Sequence, residues 1–175
     1  MCYNEPVSWI TLTLGSLFTI LNLYKYHNNF QITIISLSWF FAVSMQFWEA
    51  MLYRSTKDIK KCIFYTKGAY INNLIQPFII LLLTLKIKDK FKRNFCLGLA
   101  FVYLIYSLNY VKLKKDYCAI NNNEIEYSWW NENNGLAYNA IIIILYYLLI
   151  DKKYRLFQVS LLIISYTISL FMKRE

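Results

Sequence analysis

The sequence predicts an all-α, polytopic bundle of transmembrane helices with about six spans, on three observations. Apolar residues make up 58% of the 175, and aromatic residues 19%. They gather into six long runs, and all 19 Lys and Arg fall between or beside those runs. Only four Gly and two Pro are present to interrupt them. A soluble domain of this length does not need so many long apolar runs. The soluble all-α alternative expects one apolar stripe per helix, whereas these runs are apolar all round.

A spanning helix needs about twenty mainly apolar residues at ~1.5 Å rise each. The candidate spans are 7–24, 31–53, 69–85, 95–111, 135–150 and 157–172. The stretch before the first has no basic region, and no small-residue cleavage pattern follows the run, so the first span is expected to stay as an uncleaved anchor. The second is apolar except for Gln46 and Glu49 near its end. The third carries Asn72, Asn73, Gln76 and Pro77 near its beginning. The last four spans have only sixteen or seventeen residues and need flanking Tyr, Lys and Arg that snorkel to the interface. Short spans fit either a thin bilayer or tilting within a homo-oligomer. Trp9, Tyr24, Tyr53, Tyr70, Tyr110 and Tyr138 sit near the expected ends, as an aromatic belt requires.

Six spans place 54–68, 112–134 and both termini on one side, here side A, and 25–30, 86–94 and 151–156 on side B. Lys and Arg number ten on side A and nine on side B, so their count does not set the orientation. The side-B loops are the short, densely basic ones, above all 86–93, and side A holds most of the acids. Side B is therefore expected to be cytosolic, in a host endomembrane or a virion membrane if the chain is viral. The formal charge of +9 is distributed between apolar runs and not along one soluble face. Lipid headgroups are the partner this pattern predicts, and nucleic acid is not.

Cys62 and Cys118 both fall on side A, whereas Cys96 lies in the fourth span. A Cys62–Cys118 bridge is allowed by this topology and requires an oxidising side A; two unrelated free thiols satisfy it equally. Trp129 and Trp130 precede the fifth span, as headgroup anchors or as a lid over a pocket open to side A.

The polar layer near side A is the main candidate for function. Gln46 and Glu49 are spaced i, i+3 and share a helix face, as do Asn73 and Gln76. Asn109 near the end of the fourth span and Asn139 one turn into the fifth are expected at the same depth. One reading is a polar pocket open to side A with Glu49 as its carboxylate. The other is interhelical fastening, at about 0.6 kcal/mol per amide hydrogen bond. Pro77 removes a backbone hydrogen bond, frees the Asn73 carbonyl and is expected to kink its helix. Enzyme signatures are absent: His27 stands alone in a loop, no metal-ligand cluster or phosphate loop occurs, and no cofactor is implied.

The ordered set Met45-Gln-Phe-Trp-Glu49, a Cys in the following loop, Gln76-Pro77-Phe78, and a further Cys loop with Trp before the fifth span resembles a known pattern. It is similar to an uncharacterised family of multi-span integral membrane proteins found in large DNA viruses and some cellular genomes. That family carries Met-Glu-x-x-Gln followed by Gln-Pro-Phe; here Glu and Gln stand exchanged, at Gln46 and Glu49. The resemblance implies six or seven spans and no established activity. The function expected is a non-enzymatic membrane component, structural or host-membrane-modifying. The alternative is a small transporter or channel with its pocket around Glu49 and Gln76.

Overall fold

A computed structural model of the protein describes residues 4–114, 116–121, 124–129, 132–156, 158–160 and 163–164. The elements are α1 (Glu5–Tyr26), α2 (Phe30–Arg54), α3 (Ile59–Ile80) prolonged by a 3-10 segment (Leu81–Lys86), and α4 (Lys90–Tyr110). β1 (Ile120–Asn121), β2 (Glu124–Ile125) and α5 (Glu132–Leu149) follow, and helical residues resume at 152–156. The fold is all-helical apart from one short antiparallel pairing, in which Ile120 lies opposite Ile125.

Each short connection supplies a cap for the next helix. Asn4 Oδ1 accepts from the Val7 amide, with Pro6 in the first turn of α1 where its missing N–H costs nothing. Asn29, Asp58 and Asp89 accept from the first free amides of α2, α3 and α4. Such a cap stabilises a helix by about 1 kcal/mol.

α1 and α2 form an antiparallel hairpin, and their contacts step in opposite directions along the two helices. Glu5 forms an ion pair with Arg54, the Trp9 ring meets Phe47 edge-on at 6.2 Å, and Gly15 abuts Val43. α2 and α3 repeat the arrangement: Trp48 covers Gly68, and Ser44 bonds Asn72. A Cβ at Gly68 would lie 2.3 Å from Trp48 Cζ3, so only glycine allows this approach. Small residues at crossings are how helices come close where no hydrophobic force drives them together. α5 packs on α4 and α3 and reaches α2 through the Tyr146 hydroxyl at Ser38. The main core gathers Ile34 and Ile35 of α2, Ile80 and Leu83 of the third segment, Cys96 and Tyr103 of α4, and Leu145 and Tyr146 of α5.

Three helices are long and apolar enough to cross a membrane: α1, α2 and the continuous stretch Ile59–Lys86. Asn133–Leu149 is a shorter apolar helix. α1 buries only Ser8 and Thr19 and turns Ile10, Leu14, Phe18 and Leu21 outward, with Phe18 69% exposed. α4 does the same with Phe101, Val102 and Leu108. Apolar faces of this extent are rare on monomers in water.

Helix starts differ from the apolar runs in two important places. The run 69–85 belongs to a helix that starts ten residues earlier, at Ile59, because Asp58 caps it and Lys60, Lys61 and Lys67 prolong it beyond its apolar part. The stretch 54–68 is thus mostly helical, and Cys62 lies within α3 and not in a loop. α4 likewise begins at Lys90, five residues before the run 95–111, on the basic turn Lys90, Lys92, Arg93. Most of the run 157–172 lies outside the described residues.

Candidate functional site

Asn72 and Asn73 lie at the midpoint of the continuous helical stretch Ile59–Lys86, level with Phe41 and Ser44 in the middle of α2. Asn72, Asn73, Gln76 and Pro77 are all buried.

The Phe41 backbone carbonyl is the hub of this layer. Asn72 Nδ2 donates to it at 3.1 Å, Gln76 Nε2 at 3.2 Å, and Ser44 Oγ at 2.7 Å. Ser44 Oγ also lies 3.0 Å from Asn72 Oδ1. The Tyr138 hydroxyl of α5 donates to Gln76 Oε1, so Gln76 links three helices. One layer toward side B, Ser38 Oγ and the Tyr146 hydroxyl lie 2.8 Å apart. α2 therefore carries a ladder of polar links to its neighbours, each satisfying groups that would be costly alone in hydrocarbon.

Pro77 leaves the Asn73 carbonyl without its usual α-helical donor. The helix runs on through Pro77 to Ile80 and then tightens into the 3-10 segment from Leu81, where Thr84 Oγ1 donates to the Leu81 carbonyl at 2.6 Å.

Toward side A the layer is closed by the connection between α4 and α5. Trp129 is 1% exposed and packs against Tyr70 and Tyr127, at centroid distances of 5.3 and 4.6 Å. Asn134 holds it there: Nδ2 donates to the Trp129 carbonyl, and Oδ1 accepts from the Tyr106 hydroxyl, both at 2.8 Å. Trp129 is thus buried within the connection between α4 and α5; Trp130 lies outside the described residues. Glu49 is 3% exposed beneath this cover, with the Tyr127 hydroxyl donating to its Oε1 at 3.4 Å. Gln46, half-buried, stands one turn before it.

The cover is fastened by the Cys62–Cys118 disulfide, whose Cα atoms are 5.3 Å apart. Beside it the Ala119 amide donates to the buried Thr66 Oγ1 at 3.0 Å, and the Tyr117 hydroxyl donates to the Glu126 carbonyl. Burial pushes the Tyr117 phenol up, and the Glu126 carboxylate adds to this. At the start of α3 the Lys61 amide lowers the Asp58 carboxyl, and the Lys61 side chain 3.3 Å away adds to it.

Two amides expected in this layer are not part of it. Asn109 is exposed and donates to the Ile105 carbonyl of its own helix at 2.8 Å; Asn139 donates to the Gly135 carbonyl at 2.7 Å. A short amide side chain readily returns to the carbonyl four residues before it, which removes it from interhelical bonding. Conversely, Ser44, Thr66, Tyr146 and Asn134 belong to the network although the sequence gives no reason to choose them. Tyr138 reads as an interfacial aromatic, and the Phe41 carbonyl has no side-chain signature at all.

Between the layer and its cover, Asn73, Tyr103, Trp129, Asn134 and Tyr138 surround a cavity of about 10 Å³. That is about the space of a single water molecule. Among the described residues, no group of three or more His, Cys, Asp or Glu is arranged to hold a metal ion.

Fold and site together define a class: an all-helical protein with three helices long and apolar enough to span a membrane, fastened by buried amides and closed on one side by a disulfide-held cover. No family model, no curated protein and no solved structure matches the chain.

Proposed function

We propose that this chain is a multi-pass integral membrane protein of six spans without catalytic activity, serving as a structural or host-membrane-modifying component. The reading takes α1, α2, α3 with its 3-10 extension, α4 and α5 as spans, and 157–172 as the sixth. The family resemblance in Met45–Glu49 and Gln76–Phe78 adds a viral setting. One observation carries the non-catalytic, non-transporting choice. The mid-depth polar groups are spent on one another, around the Phe41 carbonyl, and the cavity beside them has room for about one water. Amides used in this way fasten helices and leave no path for a solute.

A small transporter or channel is the second reading, favoured by Glu49. A carboxylate at 3% exposure within an apolar helix is the kind of group that ion pathways use. Glu49→Gln separates the two. A fastening role predicts unchanged insertion and assembly, with no flux in proteoliposomes to lose. Substrate-dependent flux that this substitution abolishes would establish the second reading and remove the first.

The short basic loops of side B are the cytosolic ones in this proposal. The Cys62–Cys118 disulfide supports it, since a bridge on side A persists in an oxidising compartment or outside the cell. In sealed vesicles, thiol reagents should reach Cys62 and Cys118 from the same side once the bridge is reduced. Labelling from opposite sides would rule out six spans in this order.

A further inference from the structure

A large groove runs between α1, α2 and the helical residues after 151, with a volume of about 1080 Å³. This is the upper end of the range for ligand pockets, roughly 300–1,000 Å³. Its two ends differ. Leu14, Gly15, Phe18 and Val43 line the end near mid-depth, where Gly15 meets Val43. Asn22, Tyr26, Lys153 and Tyr154 line the other end, at the side-B surface.

The length of the groove points to what fills it. From Leu14 to Tyr26 a helix advances about 18 Å at ~1.5 Å per residue. Half of the hydrocarbon core of a bilayer is about 15 Å thick. The groove therefore reaches from one membrane surface to the midplane, the depth of a single leaflet. Its charge is matched to the surface end. Lys153 is exposed at the mouth, and the loops 25–30, 86–94 and 151–156 hold nine Lys and Arg against Asp89 and Asp151. An amide, a phenol and an ammonium at the mouth, with an apolar channel behind them, are complementary to a phosphate that carries an acyl chain.

We propose that this groove seats one anionic phospholipid of the side-B leaflet, its phosphate at Lys153, Asn22 and Tyr26 and an acyl chain running to the Gly15–Val43 contact. The proposal rests on the membrane reading above.

The test uses the full chain purified in detergent, with thermal unfolding followed as phosphatidylglycerol or phosphatidylcholine of the same chain length is added. Phosphatidylglycerol should raise Tm at lower concentration and saturate at one lipid per chain by native mass spectrometry. Lys153→Gln should weaken that preference about fivefold, the effect of one basic group near a lipid surface. Leu14→Trp, which fills the apolar end, should weaken both lipids. Lys88→Gln, on a basic loop whose residues do not line the groove, should change neither. Equal effects of the two lipids would overturn the proposal. So would an equal loss of preference in Lys88→Gln and Lys153→Gln, which marks diffuse attraction, or a full Tm rise with inorganic phosphate alone. A chain that stays monodisperse without detergent removes the membrane reading itself, whereas a detergent-dependent chain with no lipid preference removes the groove alone.

Discussion

Gln76 on α3 donates its amide to the backbone carbonyl of Phe41 on α2, 3.2 Å away at the middle of both apolar stretches. The acceptor is a main-chain group that already belongs to a helix, and Gln76 shares its outward side with Asn72 Nδ2 and Ser44 Oγ. Removing Gln76 strips a donor from Phe41 and an acceptor from Tyr138 at once. Gln76→Leu should destabilise the protein by about 1–3 kcal/mol through the loss of both contacts. Combined with Tyr138→Phe, the two losses should amount to less than their sum. Unfolding of the two single variants and the double variant in mixed micelles measures the coupling, and strict additivity would exclude the bond.

Asn109 provides the contrast. Its amide is exposed and bonds only within α4, so Asn109→Ala should change stability by less than about 0.5 kcal/mol. A loss as large as that of Gln76→Leu would mean that α4 carries an interhelical contact at this position.

Gly68 and Gly98 predict opposite outcomes for the same substitution. Gly68→Ala forces a methyl group against the Trp48 ring and should separate α2 from α3, with a loss of about 1–3 kcal/mol. Gly98 has nothing within 4 Å of the added carbon, so Gly98→Ala should stabilise α4 by about 0.5–1 kcal/mol. Comparative unfolding decides both.

The bridge between Cys62 and Cys118 closes a loop of 56 residues. Chain-entropy reasoning gives about 4 kcal/mol for a loop of this length. Cys62→Ser with Cys118→Ser should lower Tm to the value of the reduced wild type, and dithiothreitol should then have no further effect. Alkylation without reductant should leave both thiols unmodified in the wild type.

Asp58 gives a pH signature. The Lys61 amide holds its carboxyl below the ordinary value of 3.8, so its stabilising effect is present above that pH and is lost as the pH falls through its folded value. Asp58→Asn keeps a capping side chain without the charge. The difference in Tm between wild type and Asp58→Asn should be constant from neutral pH to about pH 5. It should shrink below pH 3.8, and a gap that widens there would refute the assignment.

The helices were legible in the sequence because apolar run length is a direct record of what must leave water. That Asn72 and Gln76 need partners was legible for a similar reason, since buried amides are hydrogen-bonded. Their position along the whole helix was not. The run 69–85 marks where α3 turns apolar, but Asp58 and three lysines carry the same helix ten residues outward. Sequence also offers no sign that a main-chain carbonyl such as that of Phe41 becomes a hub, because backbone acceptors are identical at every position. Asn109 and Asn139 show the converse limit: an amide in an apolar run announces a need for a partner, and its own helix met that need.

The disulfide described above also changes what a cut in the backbone means. Cys62 lies before the basic segment 86–94, and Cys118 after it. A trypsin nick there, among Lys86, Lys88, Lys90, Lys92 and Arg93, leaves two pieces that still migrate as one species until a reductant is added. The α1–α3 half and the α4–α5 half are in this sense a heterodimer already stapled together, whose peptide linker is dispensable for keeping the halves in register.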